Sequence, residues 1–129
     1  MPEYTLEEVE PRIATIVDAK GPDFIYQKRS TSGGPALGCF YAHEGKPDCI
    51  VGHLLVELGV PVEVLDPTSG KSVNDLASFR VSEIEYQLKR LYNITFTRDA
   101  MSFLNDLQYQ QDLGQSWGEA YRLAAASRF

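Results

Sequence analysis

All cysteines and histidines of the chain lie within fifteen consecutive positions. They are Cys39, His43, Cys49 and His53, spaced Cys-x3-His-x5-Cys-x3-His. Thiolates and imidazoles are the usual ligands of structural zinc, so the spacing raises the hypothesis of a metal site. If residues 38–43 form a strand, however, Cys39 and His43 lie about 13 Å apart, too far to share one ion. We therefore favour buried thiols and hydrogen-bonded imidazoles, with no metal and no cofactor.

Cys49 and His53 also suit a thiol enzyme. Cys49 falls at the start of a predicted helix, where the macrodipole stabilises a thiolate, and His53 follows one turn later. Cysteine proteases take their histidine from a separate element, so that the imidazole can turn toward the substrate. Here both residues share one helix. We expect a protein without catalytic activity, and a thiol- or zinc-dependent enzyme using Cys49 and His53 is the alternative hypothesis.

That helix, predicted within residues 47–61, has the clearest start and stop signals of any stretch of the chain. Asp48 suits its N-cap, Gly59 suits the residue that ends it, and Pro61 follows as a stop. Its apolar residues form one broad face, and the opposite face, with Cys49 and His53, almost lacks charge. We therefore predict a central helix that is buried on both sides.

A polar and aromatic cluster near the C-terminus is a candidate recognition surface. Its candidate contact residues are Gln108, Gln111, Asp112 and Gln115. In the other interpretation, which we favour, Trp117 fills part of the core while the glutamines face water, because tryptophan is usually mostly buried.

The remaining helices are predicted from capping patterns and from apolar residues at helical spacing. Capping boxes of the Ser/Thr-x-x-Glu form begin at Thr5, Ser82 and Ser116, and Thr97 suits a further N-cap. A brief helix is predicted from Ser72. The stripe of the helix after Ser82 is predicted to be Ile84, Leu88, Leu91 and Tyr92.

The fold class follows from these elements. Residues 24–27 and 38–43 are predicted to pair as a small antiparallel ribbon across a loop rich in Ser, Gly and Pro. The prediction is therefore an α+β fold that is predominantly helical. Five or six short helices surround the buried central helix, beside one two-stranded ribbon.

Length and charge limit the classes of function. A chain of 129 residues, 43% of them hydrophobic, fits a single compact domain over 1–129. The formal net charge of −6 argues against direct binding of nucleic acid through its phosphates. We find no apolar run long enough for a membrane span and no disulfide framework in two cysteines. These features predict a cytoplasmic protein.

Two stretches carry a resemblance to a known family. Residues 39–41 and 45–61 contain Gly-x-Pro-x-Cys-Ile-Val-Gly, and residues 108–120 contain Gln-Asp-x-Gly-x-x-Trp. In both, the chain resembles a family of small uncharacterised proteins of actinobacteriophages and their actinobacterial hosts. The resemblance implies an accessory role in the cytoplasm of a bacterial host cell and supplies no reaction. The paired histidines are not part of the family pattern.

Size, a well-specified fold and the resemblance together lead to one functional expectation. We expect a small phage-type accessory protein that acts as a non-enzymatic protein–protein interaction module. Its partner would be a host protein whose activity it modulates. Self-association as a homodimer stays open.

Overall fold

The computed structural model describes residues 3–26, 41–66 and 81–126. The elements run, in chain order, as β1 (Glu3–Tyr4), α1 (Leu6–Lys20), β2 (Ala42–His43), β3 (Lys46–Pro47), α2 (Ile50–Glu57), α3 (Val62–Leu65), a 3-10 turn (Val81–Ile84), α4 (Glu85–Tyr92), β4 (Thr95–Phe96), α5 (Arg98–Asp112) and α6 (Trp117–Ala126). The predicted loop at residues 29–37 and the predicted helix from Ser72 lie outside the described residues. The predominantly helical α+β class is confirmed.

Helix α1 begins at the predicted capping box. The hydroxyl of Thr5 accepts the N–H of Glu8, and the Glu8 carboxylate accepts the N–H of Thr5. The helix runs through Pro11 without a break and ends at Gly21, whose φ of +107° suits glycine. Its inner stripe lies in the core and consists of Leu6, Val9, Ile13, Ile16 and Val17.

The antiparallel ribbon exists, but its pairing differs from the prediction. Strands β2 and β3 form a tight hairpin, with Ala42 opposite Pro47 and His43 opposite Lys46. Its turn residues, Glu44 and Gly45, both have positive φ, as a two-residue hairpin loop requires.

The predicted partner segment, residues 24–27, makes a different contact. Ile25 forms an isolated antiparallel bridge with Ser116, and Trp117 donates its N–H to the carbonyl of Phe24 at 2.8 Å. The segment that follows α1 is therefore bound to the start of α6. Residues 38–40 of the predicted ribbon lie outside the described residues.

The central helix α2 is buried on both sides, as predicted. Ile50, Val51, Gly52, Leu54 and Leu55 are all buried, and α2 packs against both α1 and α5. It ends in a Schellman motif, in which Gly59 has a φ of +109° and the N–H of Val60 bonds the carbonyl of Leu55.

The predicted N-cap of α2 is wrong by one residue. Cys49, not Asp48, occupies the cap, with its Sγ accepting the N–H of Gly52 at 3.4 Å. The Asp48 carboxylate is engaged elsewhere, because its Oδ2 accepts the hydroxyl of Tyr26 at 2.7 Å.

The capping box predicted at Ser82 does not form. Residues Val81–Ile84 make a 3-10 turn, and the N–H of Ser82 donates to Oδ1 of Asn105 on α5. Helix α4 begins after Ile84 without a side-chain cap, and it ends at Asn93, whose backbone is left-handed. Leu88 is buried, whereas Leu91 is about half exposed, so the predicted stripe is only partly correct.

Helices α5 and α6 pack closely against each other. Thr97 caps α5 as predicted, and a Schellman motif at Gly114 ends it, with the N–H of Gln115 bonding the carbonyl of Gln110. Ser116 accepts the N–H of Glu119 at the start of α6, but the Glu119 carboxylate pairs with Arg122, so only half of this box forms.

A short parallel pair was not predicted from the sequence. Strand β1 pairs with β4, with Glu3 opposite Thr95 and Tyr4 opposite Phe96, and the N–H of Thr97 bonds the carbonyl of Tyr4 at 3.0 Å. The pair fixes the start of the chain beside the beginning of α5. Among the described helices, none has the length and hydropathy needed to cross a bilayer.

Candidate functional site

Cys49 carries the most reactive type of side chain in the described part of the chain, a free thiol. Its side chain has 0% exposure. Its Sγ accepts the N–H of Gly52, which is one of the donors that a helix start leaves without a partner inside the helix. A nucleophile must reach its substrate, so this burial and this hydrogen bond give Cys49 a structural role in the cap of α2.

His53 lies one turn after Cys49, and its ring is directed at the backbone. Its Nδ1 lies 2.9 Å from the carbonyl oxygen of Cys49, and because a carbonyl only accepts, this bond places the proton on Nδ1. Burial lowers the pKa of His53 below its ordinary value, and the hydrogen bond to Cys49 opposes that shift. The imidazole therefore does not contact the Cys49 thiol as a base would contact its nucleophile.

The other face of His53 packs against aromatic rings. The imidazole meets the indole of Trp117 edge to face, with ring centroids 5.4 Å apart, and Trp117 meets Phe24 in the same manner at 4.9 Å. The ammonium of Lys20 lies 4.6 Å from the Phe24 ring centre, where a cation–π attraction operates. Trp117 is fully buried, as the favoured interpretation expected.

The proposed zinc ligands are not assembled by the described residues. His43 lies on the hairpin, where its Nε2 is 3.6 Å from the Glu44 carboxylate, and Cys39 is outside the described residues. The sulfur of Cys49 and the Nδ1 of His53 are used by backbone groups of α2. In residues 3–26, 41–66 and 81–126, no three His, Cys, Asp or Glu side chains are grouped as metal ligands would be.

The predicted recognition surface is wrong at Gln108 and Gln111, because both amides lie in the core. Gln111 Oε1 accepts the N–H of Ile50, the first residue of α2, at 3.0 Å. Gln108 Oε1 accepts the N–H of Val81 at 3.0 Å, and its Nε2 donates to the hydroxyl of Tyr41 at 3.2 Å. These amides therefore link α5 to the start of α2, to the 3-10 turn and to the segment before β2.

Asp112 and Gln115, the other two candidates, lie at the partly exposed end of α5. Asp112 accepts a bond from Nε2 of Gln111 at 3.2 Å. The well-exposed residues here are apolar: Tyr109 is about half exposed and Leu113, one turn later, is 57% exposed. The sequence did not indicate that these two side chains are exposed, because Leu113 follows a run of polar residues and Tyr109 fits the pattern of an amphipathic helix.

Helix α4 carries a second group of exposed side chains. Tyr86 is 68% exposed, the highest value among the large hydrophobic residues in the described part of the chain, and Leu91 is about half exposed. Lys89 and Arg90 lie at the exposed end of the same helix. The pattern of the sequence placed Leu91 in the core, because only tertiary contacts decide how far around a short helix the core extends.

The resemblance to small actinobacteriophage proteins stays a prediction, and it transfers no functional residue to this chain. No family model, no curated protein and no solved structure matches the chain.

Proposed function

We propose that this chain is a non-enzymatic interaction module that binds another protein and modulates it. The observation that carries the proposal is that the candidate functional side chains lie in the core, whereas apolar side chains lie on the surface. The thiol of Cys49 and the amides of Gln108 and Gln111 accept hydrogen bonds from backbone N–H groups inside the fold. Large apolar side chains are left exposed: Tyr109 with Leu113 at the end of α5, and Tyr86 with Leu91 on α4. Ile25, which bridges Ser116 at the start of α6, is about half exposed as well.

Exposed aromatic and aliphatic side chains are suited to binding a protein surface. Aromatic residues are enriched at the centres of protein interfaces, where they bury a large area at a small cost in side-chain entropy. Tyr109 and Leu113 are one helical turn apart, so both present their side chains on the same face of α5. A partner that covers either pair would remove this apolar surface from water.

The biological setting of the proposal follows the family resemblance. The partner is a host protein, and binding takes place in the cytoplasm of an actinobacterial host cell. A homodimer is the other arrangement that would cover the same side chains.

Capture from host lysate tests the proposal. The tagged protein and a Tyr109→Ser/Leu113→Ser variant are compared with Gln110→Ser, a control on the same helix, and bound proteins are quantified by mass spectrometry. A Tyr86→Ser/Leu91→Ser variant examines the second pair. We expect one host protein to be enriched by the wild type and the control and lost with at least one of the double variants. Equal recovery with all four proteins, or no enriched protein, would contradict the proposal.

A further inference from the structure

We draw no further inference here: the strongest candidate, the exposed apolar face at the end of α5 that carries Tyr109 and Leu113, lies beside the Asp112 carboxylate, which already accepts a bond from Gln111, and nothing in the structure shows what covers it.

Discussion

The backbone of Tyr41 lies directly on Gly52. A Cβ atom added to Gly52 would be 1.8 Å from the carbonyl oxygen of Tyr41 and 2.6 Å from its carbonyl carbon, far closer than non-bonded atoms approach. Glycine is therefore the residue that this position of α2 accepts. The contact covers the face of α2 on which the sequence places almost no charged residue.

Replacing Gly52 by alanine should destabilise the protein. The obstructing atoms belong to the backbone, which cannot rotate away as a side chain does, so we expect a loss at the upper end of overpacking costs, about 3 kcal/mol. Chemical denaturation followed by circular dichroism measures this loss. Helix propensity works in the opposite direction, since it favours alanine over glycine by about 1 kcal/mol. A Gly52→Ala variant as stable as the wild type would contradict the contact, and Gly52→Leu should prevent folding.

Replacing Gln111 by leucine should also destabilise the fold. The change keeps the volume but leaves the buried N–H of Ile50 without its acceptor, at a cost of about 1–3 kcal/mol. Gln110→Leu, on a more exposed part of the same helix, is the matched control and should stay within about 0.5 kcal/mol of the wild type. Equal effects of the two changes in urea denaturation would show that the amide of Gln111 does not support α2.

The sequence predicted those features of the fold that local chemistry determines. Thr5, Thr97 and Gly59 mark helix ends through bonds to residues a few positions away, and all three act as predicted. The buried state of α2 was also predicted, because it follows from the apolar composition of the helix itself.

Features that depend on distant partners were not predicted. Asp48 is a good N-cap residue, but its carboxylate accepts the hydroxyl of Tyr26. Cys49 caps α2 instead, by accepting the N–H of Gly52. Gln108 and Gln111 were expected in water because glutamine is usually exposed, yet they satisfy backbone groups of elements far along the chain. Residue type alone therefore placed Gln108 and Gln111 at the surface, whereas their backbone partners hold them in the core.

Acidification should reduce stability through His53. Burial places its folded pKa below the unfolded value of about 6.5, so the neutral form is favoured in the folded state. Its contribution is complete above about pH 6.5 and is lost as the pH falls below that value. We expect His53→Gln to show a shallower fall in unfolding free energy between about pH 7 and pH 5. Parallel pH profiles of the two proteins would contradict the assignment, since every other titrating group is shared.

The central claim is that Cys49 and His53 serve the fold, and the proposal of a binding function on the surface rests on it. The direct measurement is the rate at which Cys49 reacts with an aromatic disulfide reagent, in a Cys39→Ser background that leaves one thiol. The account predicts reaction only through unfolding, more than about a thousandfold slower than a free thiol, with a full rate in denaturant. Rapid labelling of the native protein, with a pH dependence that reports a thiolate, would contradict it and return Cys49 to the candidates for catalysis.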